Sequence, residues 1–266
     1  MGTMVWARLA VGTVLGAILT AVWWHLAEPE MPSTVHGGWV VAAMVAMGAA
    51  VGMQIGRSIL LIPEMPAERW GALVLWTHGL NTVLALSGDA AEALWLSRSS
   101  TLKLSPLAGR LVLRVAGSAF GVGILVVFAA TSPRLWLGVA LPGIGLAWAL
   151  RQRTDRVSRL TVQCGLGVLH TGIEALAVGC AARSVDVTVG PAVAMLGRAG
   201  VELGTWLPVP LGGTGVHHLA LTGAGELLGS PTAAEAVMAH HIITLVVGML
   251  ALGIGAALAT SASEAR

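Results

Sequence analysis

The sequence predicts an all-α, polytopic integral membrane protein with about seven transmembrane helices and two broken or re-entrant segments. Hydrophobic residues make up 56% of the 266 residues and charged residues only 11%, whereas soluble domains carry about 25% charged residues. The mean hydropathy is +0.82. Tryptophans near the ends of the apolar runs indicate an interfacial aromatic belt. These are Trp6, Trp23, Trp24, Trp39, Trp70, Trp136, Trp148 and Trp206.

Eight apolar runs define the predicted elements, and most reach the roughly 17–25 residues that a membrane span needs. They cover residues 5–26, 37–56, 70–87, 111–131, 134–150, 161–182, 188–206 and 235–259. The first run ends in WWHLAEPE without a small-residue cleavage site, so we interpret it as a retained span rather than a signal peptide. No polar stretch between the runs is long enough for a soluble domain. Residues 1–266 are therefore expected to form a single transmembrane domain.

Basic residues in the short loops predict the orientation, because cytoplasmic loops carry an excess of Lys and Arg. The loop AEPEMPSTVHGG contains neither residue and is expected outside. The later connections are basic, and their residues are Arg57, Arg69, Arg98, Lys103, Arg110, Arg114, Arg151, Arg153, Arg156 and Arg159. This pattern predicts a multi-pass protein of the cell (inner) membrane with its N-terminus in the cytoplasm. No basic face stands apart from the membrane topology, so nucleic acid binding is not indicated.

Two apolar segments contain residues that do not continue a regular helix. Residues 207–218, LPVPLGGTGVHH, combine prolines, which lack an amide hydrogen, with flexible glycines. The run 70–87 is interrupted by His78, Gly79 and Asn81 and then by Ser87 and Gly88. In transporters, paired breaks of this kind mark the substrate site. Four predicted spans separate the two segments, whereas an inverted repeat needs an odd number. Whether the two segments belong to an inverted repeat is therefore left open.

Ionisable residues inside the apolar runs are candidates for lining this site, because charge within a membrane is costly and normally faces a partner or a cavity. Arg198 and Glu202 lie four residues apart, on one helix face and directly before the second break. A purely structural ion pair is an equally weighted alternative. Glu174, four residues after His170, could pair with His170, with Arg198 or with a proton.

A second group of charges follows the first break, and it consists of Asp89, Glu92, Arg98 and Arg114. One interpretation is a solvated amphipathic helix on the cytoplasmic surface, with Arg114 snorkelling to the interface. The other is a charged vestibule whose arginines bind a phosphate-bearing lipid head group by planar, bidentate hydrogen bonds.

Histidines raise the alternative of a metal-dependent membrane enzyme, because imidazole and carboxylate groups bind zinc and iron well. The histidines concerned are His170, His217, His218, His240 and His241, with Glu174 and Glu226 nearby in sequence. The chain lacks HExxH and paired ExxH motifs, and it lacks the GxSxG motif of a nucleophilic serine. We therefore predict no metal, no cofactor and no catalytic residue. The alternative enzyme would use His170, Glu174, His217 and His241.

Taken together, the motifs resemble the flippase-like transmembrane family found in lysylphosphatidylglycerol synthases and in related stand-alone membrane proteins. The family's asparagine, Gly-Asp pair and arginine-containing helix are matched by Asn81, Gly88, Asp89, Arg98, Arg110 and Arg114. Its Pro-Gly-Gly-x-Gly-Val stretch is matched by Pro210, Gly212, Gly213, Gly215 and Val216. The resemblance covers residues 50–259. Where the family has a glutamate after Gly-Val, this chain has His217 and His218, which favours pH dependence.

The resemblance implies lipid translocation, or handling of lipid head groups, across the cell membrane. The expected substrate path consists of Asn81, Gly88, Asp89, Arg98, Arg114, Glu174, Arg198, Glu202, Pro208, Pro210, Gly212, Gly213, Gly215, His217 and His218. Membrane lipids, including phosphate-bearing ones, are the expected partners, and a homo-oligomer or a lipid-modifying partner enzyme stays open. The remaining alternative is a proton-coupled carrier for a small solute, in which Glu174 and Glu202 titrate.

Overall fold

A computed structural model describes residues 18, 21–25, 32–84, 92, 104–132, 143, 145, 150, 155–206, 214–230 and 234–264. The helices, in chain order, are α1 (Gly37–Leu61), α2 (Ala67–Leu84), α3 (Leu104–Ala130), α4 (Arg156–Arg183), α5 (Pro191–Trp206), α6 (Thr214–Leu227) and α7 (Ala234–Glu264). Residues 21–25 are also helical, and no strand occurs in the ranges just given. The all-α prediction is confirmed for this part of the chain.

Four helices of the described ranges are long and apolar enough to cross a membrane. They are Gly37–Leu61, Val112–Ala130 within α3, Arg156–Arg183, and Ala234–Leu258 within α7. Large apolar side chains such as Val45 and Met249 are exposed on these helices, which suits a surface that faces lipid rather than water. Helices of sufficient length and apolar character to span a membrane are thus confirmed, while the predicted number of about seven spans is not.

Helix α4 is the most enclosed of these four spans. Half of the residues in its apolar stretch are buried, compared with 28–39% in the apolar stretches of the other three helices. It begins after Asp155, whose side chain accepts a hydrogen bond from the Ser158 amide at 2.9 Å and so caps the helix. Helices α1, α3, α5 and α7 pack around it. Polar residues on α4 therefore lie in the interior of the bundle.

Helix α2 passes without interruption through the first predicted break as far as Leu84. Gly79 has a packing role there, because a Cβ at this position would lie 2.5 Å from the Cβ of Leu252 on α7. Small residues let helices approach at backbone distance in membranes. His78, Gly79 and Asn81 consequently do not break the helix, and Ser87 and Gly88 lie outside the described residues.

The aromatic-belt interpretation fails for two tryptophans that the structure describes. Trp70 is fully buried and donates from Nε1 to the backbone oxygen of Ile62 at 3.1 Å, and Trp23 is buried against α6. Trp24 and Trp39 are exposed, as the belt requires. Trp70 therefore stabilises the turn between α1 and α2 rather than anchoring the chain at a lipid interface.

Candidate functional site

Arg198 of α5 holds two carboxylates inside the helix bundle. Its Nε donates to Oε2 of Glu174 on α4 at 2.7 Å, and its Nη2 donates to Oε2 of Glu202 at 2.7 Å. Arg198 is buried, whereas both glutamates are partly buried. The predicted pairing of Arg198 with Glu202 along one helix face is confirmed, and Glu174 takes Arg198 as a partner. We call Glu174, Arg198, Glu202 and the adjoining His170 the Arg198 network.

His170 lies one helical turn before Glu174 and is buried. Its Nδ1 is 3.0 Å from the backbone oxygen of Ala50 on α1, and its Nε2 is 3.5 Å from Oε2 of Glu174. A carbonyl oxygen can only accept, so Nδ1 carries the hydrogen in a neutral imidazole and Nε2 presents a lone pair. An unprotonated ring nitrogen of His170 therefore lies close to the carboxylate of Glu174.

Arg114 of α3 and Glu92 form a second interior ion pair. Nη1 of Arg114 is 2.5 Å from Oε1 of Glu92, and Glu92 is 1% exposed. The interpretation of Glu92 as part of a solvated surface helix, with Arg114 snorkelling to the interface, is therefore wrong. A buried charge needs such a partner, because an isolated one is costly to remove from water. Asp89 and Arg98, predicted beside this pair, lie outside the described residues.

Arg57 is an interior cation that sequence analysis assigned to a cytoplasmic loop. Helix α1 continues to Leu61, so Arg57 lies within the helix and is 1% exposed. It donates from Nε to Oε1 of Gln163 at 3.1 Å, and Nε2 of Gln163 donates back to the Arg57 carbonyl at 3.1 Å. The apolar residues 59–62 that follow Arg57 were the sequence signal that the helix does not end there.

The remaining hydrogen bonds of Arg57 go to α3. Nη1 donates to Ser118 Oγ at 3.2 Å and Nη2 donates to the backbone oxygen of Arg114 at 2.9 Å. The acceptors of Arg57 are thus neutral, and the negative charges that act on it through space are Glu202 and Glu174. Arg57 therefore contributes positive charge to the same interior region as the Arg198 network.

His218, a predicted path residue, belongs to a separate aromatic cluster. It stacks on Trp23 with 4.1 Å between ring centroids and meets His241 edge-on at 4.8 Å. His218 is 3% exposed, and within the described part of the chain its ring nitrogens have no hydrogen-bond partner. The described residues contain no group of three or more His, Cys, Asp or Glu that could hold a metal ion. The proposed ligand His217 has no described side chain.

The second predicted break, residues 207–218, begins directly after α5 ends at Trp206. Its last five residues, 214–218, do not break the chain, because they form the start of α6 at Thr214, and residues 207–213 lie outside the described residues. Gly215 lies in the first turn of α6, and Asn81 lies in α2 without a described side chain. The other predicted path residues outside the described ranges are Gly88, Asp89, Arg98, Pro208, Pro210, Gly212 and Gly213. The structure therefore brings together Glu174, Arg198 and Glu202 from the predicted path.

Comparisons with family models, with curated protein sequences and with solved structures find no match to this chain. The fold and the site define a class only: a helical protein with four described helices that are long and apolar enough to cross a membrane, and with charged residues paired in its interior.

Proposed function

We propose that the protein binds the polar head group of an amphipathic lipid and moves the lipid across the cell membrane, as a flippase does. The observation that supports this proposal is the Arg198 network, in which one buried guanidinium holds two carboxylates. Ionisable groups within a membrane-crossing bundle are expensive and mark substrate or ion pathways. A phosphate-bearing head group would compete with the carboxylates for Arg198, because the planar guanidinium binds phosphate and carboxylate in the same bidentate manner.

The proposed topology has about seven spans, two re-entrant segments and a cytoplasmic N-terminus. Two contacts support the relative directions of the helices. The His36 amide donates to the Ser184 carbonyl at 2.8 Å, which joins the start of α1 to the end of α4. Arg110 of α3 donates to the Leu61 carbonyl at 3.2 Å, which joins the end of α1 to the first half of α3. Arg156 and Arg159 at the start of α4 favour that end as cytoplasmic.

A proton-coupled carrier for a small solute is the second candidate. The contact of His170 Nε2 with Glu174 at 3.5 Å favours it, because histidine and carboxylate chains relay protons in transporters. A carrier of this kind would accumulate a soluble solute inside vesicles under a pH gradient. A lipid-handling protein would instead redistribute labelled lipid between the leaflets without such uptake.

The proposed function is tested with vesicles containing the purified protein and a fluorescently labelled phosphatidylglycerol, phosphatidylethanolamine or phosphatidylcholine. A membrane-impermeant reductant bleaches label in the outer leaflet, so the remaining signal reports lipid that has crossed. We expect the protein to accelerate the crossing of at least one lipid over protein-free vesicles. Crossing rates that equal those of protein-free vesicles for every lipid would overturn the proposal.

A further inference from the structure

His170 and Glu174 present two proton acceptors to each other inside the bundle. The Nδ1 hydrogen of His170 is donated to the Ala50 carbonyl, so Nε2 carries a lone pair in the neutral ring, and Nε2 lies 3.5 Å from Oε2 of Glu174. Two acceptors at this distance repel unless a proton lies between them. Glu174 is partly buried rather than fully enclosed. The arrangement is therefore a place where a proton can be taken up and held.

The charged and titratable groups around Glu174 come from several helices. Arg198 of α5 contacts Glu174 and also holds Glu202. Among the described residues, His78 of α2 and His240 of α7 also interact electrostatically with Glu174 or with its partner Arg198. Arg57 of α1 interacts with both glutamates, and Arg114 of α3 acts on Arg57 while pairing with Glu92.

The charges of this region balance among the described residues. This region contains two guanidiniums, Arg57 and Arg198, and two carboxylates, Glu174 and Glu202. Their charges cancel when the neighbouring histidines are neutral. An anionic head group bound to Arg198 would add negative charge that nothing in this set offsets. Unbalanced charge in a region of low dielectric constant is costly. One additional proton restores the balance.

We propose that Glu174 takes up one proton when an anionic, phosphate-bearing head group binds Arg198, so that lipid and proton cross the membrane together; this rests on the proposed function above. A solvent hydronium ion supplies the proton, and an O–H bond forms on the Glu174 carboxylate. The hydrogen bond from Arg198 Nε to Glu174 breaks, and Nε then donates to a phosphate oxygen. The new O–H group donates to Nε2 of His170. On release of the lipid the proton returns to water, and no electron is transferred.

The coupling has a thermodynamic signature in vesicles that carry labelled phosphatidylglycerol and a trapped pH-sensitive dye. With one proton per lipid, a gradient of about one pH unit drives an about tenfold difference in label between the leaflets. The dye reports the protons that enter the vesicle as the labelled lipid crosses the bilayer. Because anion and proton cross as a neutral pair, a potassium diffusion potential leaves the distribution unchanged.

Glu174→Gln is the discriminating variant, since its amide oxygen still accepts from Arg198 but cannot take up a proton. In vesicles that contain this variant, the labelled lipid is expected to distribute evenly between the leaflets under a pH gradient. Its distribution should instead respond to the diffusion potential. Glu64→Gln is the matched control, because Glu64 forms an exposed ion pair with Arg110 at 2.6 Å. The control is expected to keep the about tenfold distribution of the wild type.

The wild-type protein alone decides the proposal if Glu174→Gln does not fold. Label that crosses but distributes evenly under the pH gradient would overturn proton coupling and leave the proposed function standing. An about tenfold distribution retained in folded Glu174→Gln would also overturn the role of Glu174. If no lipid crosses faster than in protein-free vesicles, the proposed function itself fails.

Discussion

Arg57 joins three helices through a single guanidinium. It lies on α1 and binds Gln163 of α4 together with Ser118 and the Arg114 backbone of α3. Hydrogen bonds to a charged group contribute about 1.5–3 kcal/mol each, and an orphaned buried partner adds a penalty. At the residue scale, this side chain fixes the position of α1 beside the Arg198 network.

Replacing Arg57 by alanine is therefore expected to destabilise the protein by about 2–4 kcal/mol, because the buried amide oxygen of Gln163 loses its donor while the amide nitrogen keeps the backbone carbonyl of residue 57. Reversible unfolding in mixed micelles of mild detergent and dodecyl sulfate measures this change. The exposed Arg183 supplies the control, and Arg183→Ala should stay within about 0.5 kcal/mol of the wild type. Equal losses in the two variants would contradict the role of Arg57.

Asp186 connects the segment before α1 to the turn after α4. It has a left-handed backbone with φ of 60°, accepts from Thr34 Oγ1 at 2.5 Å and lies 2.8 Å from His36 Nε2. The hydrogen bonds from Thr34 and then from His36 lower the pKa of the Asp186 carboxyl below its usual 3.8. A carboxyl whose pKa is lowered by folding stabilises the folded state above its unfolded pKa.

The stability contributed by Asp186 should thus be complete near neutral pH and be lost as the pH falls below about 4. Asp186→Asn keeps a side chain that tolerates the left-handed backbone but cannot ionise. The difference in unfolding temperature between wild type and Asp186→Asn is expected to shrink as the pH is lowered from 7 towards 3. A difference that is constant over this range would contradict the assignment.

Glycine contacts determine how closely the helices pack. Gly117 of α3 and Gly167 of α4 face each other, and a Cβ at Gly167 would meet the carbonyl oxygen of Gly117 in a severe overlap. Gly248 of α7 is in the same situation, since a Cβ there would lie 2.5 Å from the Cβ of Thr82 on α2. At the element scale these are two close helix pairs, α3 with α4 and α2 with α7.

Gly167→Ala should push α3 and α4 apart and cost about 1–3 kcal/mol, the usual range for overpacking. Gly123→Ala, on the neighbouring helix α3, has nothing within 4 Å of the added Cβ and should be neutral or slightly stabilising. The same mixed-micelle unfolding assay compares the two. A harmless Gly167→Ala would show that the α3–α4 contact is looser than described.

Local spacing predicted the elements and part of the site. Arg198 and Glu202 were paired correctly because an interval of four residues on a helix is a property of the sequence itself. Glu174 was assigned three alternative partners, and the packing of α4 on α5 selects Arg198 while keeping His170 near. Contacts between distant segments, such as Arg57 with Gln163, leave no periodic signal and could not be predicted.

The expected breaks had mixed outcomes for a related reason. Glycine and polar residues in the run 70–87 predicted an interruption, but Gly79 serves the approach of α7 and the helix continues to Leu84. Composition alone does not distinguish a glycine that loosens a helix from one that packs it. The start of the second predicted break agrees with the end of α5 at Trp206, whereas its residues 214–218 are helical because α6 begins at Thr214.

In the whole molecule, the connection between α1 and α2 lies at the opposite end of the helix bundle from the turn after α4. The proposed topology therefore predicts that these two segments lie on opposite sides of the membrane. Single cysteines in a Cys164→Ser, Cys180→Ser background test this topology with a membrane-impermeant maleimide on intact cells. Arg183→Cys is expected to react directly, whereas Glu68→Cys should react only after permeabilisation. Both positions are accessible at the protein surface. Labelling of both from one side would contradict the proposed orientation.

Binding of the lipid head group by Arg198 is the central step of the proposed function. The most direct measurement compares the crossing rate of labelled phosphatidylglycerol in vesicles containing the wild type, Arg198→Gln, Arg198→Lys or the exposed-pair control Glu64→Gln. A hydrogen bond to a charged group contributes about 1.5–3 kcal/mol, so Arg198→Gln, which loses those to the phosphate, should slow crossing at least about tenfold. Arg198→Lys should recover part of the rate, because lysine keeps the charge but not the bidentate geometry. Folded Arg198→Gln that moves lipid as fast as the wild type and Glu64→Gln would contradict this role of Arg198.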